Sequence, residues 1–185
     1  IMRQLRNAAL CALCAILAFG CGKEAAAPET DHAAHQDSGT TTQLADVQPD
    51  GTTAPLFHGI GPLHFPISTN SELAQKYFDQ GLTLMYGFNH AEAIRSYKEA
   101  ARLDPTCGIC WWGVALSLGP NINLEMQKEA IPEAWQAVQE AQRLKSNETP
   151  RERAYIDAVA TRYSESGEGR AALDQAYANA MATLV

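Results

Sequence analysis

Two successive runs of apolar residues at helical spacing, between Leu73 and Leu103, constrain this chain more than any other feature. Leu73, Tyr77, Leu82, Leu84 and Met85 make one stripe, and Ala93, Ile94, Tyr97, Ala100, Ala101 and Leu103 make the next. Thr69-Asn70-Ser71-Glu72 has the pattern of a capping box ahead of the first run, and Asn89-His90-Ala91-Glu92 repeats that logic ahead of the second. Asp104-Pro105 stops the second run, because a residue before proline is pushed out of the helical region. The spacing predicts a first helix of about five turns and a short turn into an antiparallel second one.

Small residues stand where two such helices must approach. Gly81 and Ala93 allow close backbones, Tyr97 fills the gap toward the next hairpin, and Pro105 opens the following helix, with Ala100 one turn after Tyr97. Counted from Ala74, these five residues have the spacing of the small-and-large signature of the tetratricopeptide repeat (TPR) of roughly 34 residues, and this region resembles that family. The resemblance implies an all-α solenoid of helical hairpins, with Trp111 and Ala115 as packing positions of a second repeat. Phe88 to Asn123 is similar to a group of exported bacterial TPR proteins, which implies fold rather than activity.

The second repeat departs from the pattern. Gly119-Pro120-Asn121-Ile122-Asn123 breaks the helix, and the next small-residue register, Ala134, Val138 and Ala141, arrives late, as after an insertion. Thr149-Pro150-Arg151-Glu152 is a further capping box, opening a third pair through Tyr155, Ile156, Val159 and Tyr163, with Gly167 and Gly169 at its turn. A last helix runs from about Arg170 through Leu173, Ala176, Tyr177, Ala180, Met181 and Leu184, and the repeat reading leaves it truncated or uncapped.

The region before the repeats has a different chemistry. Arg3 and Arg6 precede an apolar run from Asn7 to Phe19, too short for the roughly 20 residues of a membrane helix, so residues 1–20 are expected to be an export signal. Leu17-Ala18-Phe19-Gly20-Cys21 resembles the lipobox of bacterial lipoproteins, although Leu17 stands one residue earlier than the family places it. The resemblance implies acylation of Cys21, and Gly22 in the next position, where inner-membrane lipoproteins carry Asp, implies the outer membrane or the periplasmic side of the envelope. Residues 21–57 then read as a polar, acidic linker without enough apolar surface for a core, able to reach on the order of 100 Å when extended. From residue 58 the solenoid is expected, beginning with His58 to Ser68, whose glycines and prolines predict an extended segment lying on the first helix.

The charge balance excludes one class of partner. Fourteen Lys and Arg against 21 Asp and Glu, net −7, carry no basic stripe suited to nucleic acid. Of five cysteines, Cys11 and Cys14 fall in the signal and Cys21 at the lipid, leaving Cys107 and Cys110.

Cys107-Gly108-Ile109-Cys110 is expected in the first turn of a helix capped by Asp104, with three readings: a structural disulfide, a soft-metal site or a redox pair. His32 and His35, near Asp31 and Asp37, have a loose metal-like spacing on the linker, and His58, His64 and His90 have local structural uses. Adjacent Trp111 and Trp112 diverge by about 100° on a helix, so the register assigns Trp111 to the core and Trp112 to a neighbouring helix or a groove. Candidate partner-groove residues are Tyr77, Tyr86, Trp112, Asn121 and Asn123. Glu125, Glu129, Glu133 and Glu140 read as a solvated face, and no serine elbow, phosphate loop or metalloprotease histidine pair is present. The expectation is a non-enzymatic, lipid-anchored scaffold that uses no cofactor. It binds protein or peptide and associates with itself through a repeat end bearing Met181 and Leu184. A redox or copper-handling lipoprotein using Cys107 and Cys110 is the alternative.

Overall fold

The computed structural model describes Pro49 and residues 51–184. The expected signal peptide, Cys21, the linker as far as residue 48 with His32 and His35, and Val185 lie outside the described residues. Among the described residues the chain is all-α, with α1 (Glu72–Tyr86), α2 (His90–Leu103), α3 (Gly108–Ser117), α4 (Ile131–Leu144), α5 (Pro150–Ala160) and α6 (Arg170–Ala182). No described helix is long and apolar enough to cross a membrane. Neighbours in sequence pack as neighbours in space: α1 on α2, α2 on α3, and so on to α5 on α6. The centre is α3, which also touches α1 and α5, whereas α1 and α5 do not pack on each other.

The helix boundaries follow local chemistry, with two corrections to the sequence reading. Ser71, rather than Thr69, caps α1, its hydroxyl accepting from the Ala74 amide at 3.1 Å. Thr69 is drawn elsewhere, donating its hydroxyl to Asp104 at 2.6 Å, and α1 runs 15 residues, nearer four turns than five. The second correction concerns α3: Asp104 ends α2 and accepts from Thr106, Pro105 is exposed in the turn, and Cys107 is itself the cap, its sulfur accepting from the Cys110 amide at 3.2 Å. Pro105 therefore neither opens α3 nor packs in the core. Asn89 caps α2, and Thr149 and Glu152 form the complete capping box of α5.

Tyr97 is the centre of the packing. Its ring is fully buried between α1 and α3, so tightly that a Cβ added at Gly81 would lie 2.9 Å from it and one at Gly113 only 2.5 Å. Ala93, Ala100 and Ala115 are buried around it, and Phe78 meets it edge-on at 5.3 Å. The hydroxyl of Tyr97 is buried without a hydrogen-bond partner, and burial pushes its pKa well up. Trp112 lies against a neighbouring helix, one of its two expected places, whereas Trp111 is less buried than the core position assigned to it. Trp112 is buried, with its ring 5.8 Å from that of Tyr155 on α5, and Trp111 is only half-buried. The added contact between α3 and α5 decides this, since the repeat register alone orients the pair by the hairpin partner.

Two substitutions separate the ring of Tyr97 from its hydroxyl. Gly113→Ala is expected to cost about 1–3 kcal/mol through overpacking, although alanine is the better helix former. Tyr97→Phe, which removes only the orphaned hydroxyl, should be neutral or stabilising by about 1 kcal/mol. Urea denaturation followed by far-UV circular dichroism measures both.

Candidate functional site

Three places gather polar or aromatic side chains. The first is the surface of α1 and α5, with Glu99 of α2, against which residues 52–68 are held. Phe65 stands between α1 and α5, its ring 6.0 Å from Phe78 and 6.3 Å from Tyr155, with the Arg151 guanidinium 4.6 Å above its centre. The segment is held mainly by its backbone. The amides of Thr53, Phe57, Phe65, Ile67 and Ser68 donate to Glu99, Gln80, Asp79, Gln75 and Glu152 at 2.7–3.1 Å. In return Gln80 and Gln75 donate to the carbonyls of Pro55 and Phe65, and the Tyr77 hydroxyl donates to that of Ala54. An extended chain has no internal partners for these groups, so side chains of α1, α2 and α5 supply them.

Two expectations change here. Residues 52–57, read as the end of the linker, are packed, with Thr52 and Ala54 buried. Tyr77 and Trp112 do not line an open groove: both are buried, Tyr77 beneath the segment and Trp112 against Tyr155. Tyr86 is exposed at the end of α1. Glu99 and Glu152 are nearly fully buried. Hydrogen bonds from Arg102, then from Thr53, hold the Glu99 carboxyl below its usual range against the opposing effect of burial. For Glu152 burial is the larger influence and acts upward, but bonds from Ser68 and Thr149 together outweigh it and leave the group lowered.

The second place is an open cleft of about 1020 Å³ between the α3–α4 connection and the α5–α6 turn. Asn121 and Asn123 both line it. Asn121 and Leu124 exchange backbone hydrogen bonds at 2.7 and 3.1 Å, which puts Ile122 and Asn123 at the tip of a tight turn. Ile122 is 86% exposed and Leu124 53%. The loop is tied to the segment that follows α5: the Tyr163 hydroxyl lies 2.6 Å from the carbonyls of Ala115 and Gly119, and Arg162 donates to that of Pro120 at 2.7 Å. Glu125, Glu165, Glu168 and Asp174 line the cleft along with Lys128 and Arg170. Asp174 is paired with Arg170 at 2.8 Å.

The third is the start of α3. Cys107 and Cys110 form a disulfide with Cα atoms 5.4 Å apart, and neither residue is exposed. No group of metal-ligating side chains able to hold an ion occurs among the described residues. Glu148, from the turn after α4, reaches this helix start and accepts the Ile109 amide at 2.9 Å through Oε1, while its buried Oε2 has no partner. Burial, with the negative charges of Glu152 and Asp104 adding to it, pushes Glu148 up to about 7 despite the amide bond.

Sequence reasoning did not single out Phe65, Gln75, Asp79, Gln80, Glu99 or Glu148. For Glu99 and Gln80 a signal was present: each sits beside a core residue at helical spacing, so a polar side chain there has to find a buried partner. Glu152 was read for its cap alone. Comparison of the chain with protein-family models, curated proteins and solved structures finds no match.

Glu148 carries a pH signature opposite to that of Glu99 and Glu152. Its raised pKa means the folded state holds the proton more tightly, so stability falls as pH rises from about 4.5 to about 7. Glu148→Gln should therefore raise stability by on the order of 1–3 kcal/mol at pH 8 and change it little at pH 4, measured by urea midpoints at both values. The lowered groups Glu99 and Glu152 stabilise above their unfolded value of 4.5 and lose that contribution as pH falls through their folded values. Amide exchange at Thr53 and Ser68 should accordingly lose protection at pH 3 before the helices do.

Proposed function

We propose that this chain is a non-enzymatic scaffold of TPR-like helical hairpins that binds a protein or peptide partner, exported and held in the bacterial envelope by a lipid on Cys21. The pairing of α1 with α2, α3 with α4 and α5 with α6 supports the hairpin reading, as does the burial of Gly81, Ala93, Tyr97, Ala100 and Ala115 at one seam. The motif Leu17–Cys21 supports the anchor.

The observation that carries the binding function is the cleft beside the Asn121–Leu124 turn. Ile122 and Leu124 are large apolar side chains left largely in solvent on a loop whose start is hydrogen-bonded by Tyr163 and Arg162. Such residues at the mouth of a cleft are the usual anchors of a partner, and the amides of Asn121 and Asn123 can satisfy backbone groups of an entering segment. Four carboxylates against two cations along the lining favour a partner of basic character. The redox alternative has less support, because both sulfurs are paired and buried.

Photo-crosslinking in the native host tests the reading. Benzoylphenylalanine at Glu168, on the cleft wall, should give one discrete crosslinked species that Ile122→Asp with Leu124→Asp reduces at least tenfold. The same probe at Arg95, on the outer side of α2, should give none. Equal yields at the two positions, or a Glu168 product indifferent to the double substitution, would count against the cleft as a binding site.

A further inference from the structure

The start of α3 is closed by a carboxyl that its surroundings resist in the charged form. Cys107 and Cys110 are both fully buried, yet Pro105 and Thr106, the two residues before Cys107, are exposed. The first turn of α3 packs against the end of α4 and the turn behind it. A Cβ added at Gly108, between the cysteines, would lie 3.0 Å from Glu148 Oε1, 3.2 Å from the Ala141 carbonyl and 3.3 Å from Leu144. Glu148 accepts the Ile109 amide at 2.9 Å, and Asn147 donates to the Thr106 carbonyl at 3.3 Å. These bonds tie residues 147 and 148 to the start of α3.

The tie is costly once Glu148 is ionised. The residue is 5% exposed and its Oε2 has no partner, so a carboxylate there keeps one charged oxygen unsatisfied in a buried place. The charged groups that act on it are Glu152 from α5 and Asp104 from the end of α2, both negative. Ala141 and Leu144, from the end of α4, bring no charge. Burial first, then Glu152 and Asp104, push Glu148 up to about 7 against the pull of the Ile109 and Gly108 amides. Below that value the neutral acid stays in place, and above it the carboxylate gains by reaching water. The bond beneath is also poorly placed for stability alone. A bridge between residues three apart closes a single helical turn and constrains the unfolded chain less than a long-range bridge does.

We propose that Glu148 is a gate and Cys107–Cys110 the reactive site it covers: ionisation of the carboxyl releases the start of α3 and admits a dithiol to the disulfide. In the exchange a thiolate of the dithiol attacks one sulfur and the bond between the cysteines breaks. One cysteine is then held in a mixed disulfide and the other leaves as a thiolate. The second thiol of the dithiol displaces the first cysteine, and the reagent departs as a disulfide. The two cysteine sulfurs take up, through water, the two protons that the dithiol lost. Glu148 touches no reacting atom and acts by covering or uncovering the bond. The gate shares no residue with the cleft beside Asn121 and does not depend on a partner there.

The test is the rate at which dithiothreitol reduces Cys107–Cys110 in the full chain, read by acid quenching, alkylation and mass analysis of the peptide that carries the pair. Each rate is divided by that of an oxidised Cys-Gly-Ile-Cys peptide at the same pH, which removes the titration of the reagent. With a carboxyl value of 4.5 when open and about 7 when closed, the open population rises about tenfold from pH 6 to pH 8. The normalised wild-type rate should rise by that factor. Glu148→Gln keeps an acceptor for the Ile109 amide and cannot ionise, so its rate should stay level within about twofold. An equal rise in both proteins overturns the proposal. So does a wild-type rate whose urea dependence matches that of whole-chain unfolding, since the bond is then reached only when the fold is lost. Should Glu148→Gln fail to fold, amide exchange of the wild-type chain is read in its place. The protection factor of Ile109 should fall about tenfold between the same pH values, and a constant factor overturns the gate equally.

Discussion

The contact on which the rest depends is the ring of Tyr97 pressed between the backbones of α1 and α3. At Gly81 and Gly113 there is no room for even one more carbon, so the two glycines and the ring act as one steric unit. That closeness brings α1, α2 and α3 into mutual contact and leaves α3 surrounded, with α4 and α5 on its remaining sides. A helix so enclosed must be apolar nearly all round, as Gly108–Ser117 is. The orphaned Tyr97 hydroxyl is a small cost of the arrangement, about 1 kcal/mol or less, outweighed by the burial of the ring and of Phe78 against it.

Buried carboxylates perform a second task, joining parts of the chain that helix packing alone leaves loose. Glu99 holds Thr53, Glu152 holds Ser68 and Glu148 holds the start of α3, in each case by accepting a backbone amide from a segment far off in sequence. An ionised carboxylate suits this role because it accepts only, through two oxygens, and its bonds to amides are stronger than neutral ones. The three differ in satisfaction. Glu99 and Glu152 use both oxygens and stay ionised more readily than usual, while Glu148 uses one and becomes a weaker acid. The same chemical device therefore stabilises two junctions at neutral pH and leaves a third sensitive near pH 7.

These junctions also divide the surface. The surface of α1 and α5 is covered by residues 52–68, held largely through their backbone, whereas the cleft of the Asn121–Leu124 turn is open and apolar at its mouth. The disulfide lies beneath neither, closing the first turn of α3 where Glu148 already occupies the free amides.

The helices themselves were legible in the sequence, since their apolar periods and the caps at Asn89 and Thr149 are local and depend on neighbours within one turn. So were the small residues at Gly81 and Ala93, and the break at Gly119-Pro120. What tertiary structure decided was every choice between equivalent local options. Ser71 became the cap because Asp104, distant in sequence, takes Thr69; Trp112 turned inward because Tyr155 lies across from it; and Tyr77 was covered because residues 52–57 join the fold. Periodicity and capping are interactions between residues a few positions apart, and a single sequence displays those. Which of two adjacent side chains is buried depends on surfaces brought together from far along the chain, and that is settled only when they pack.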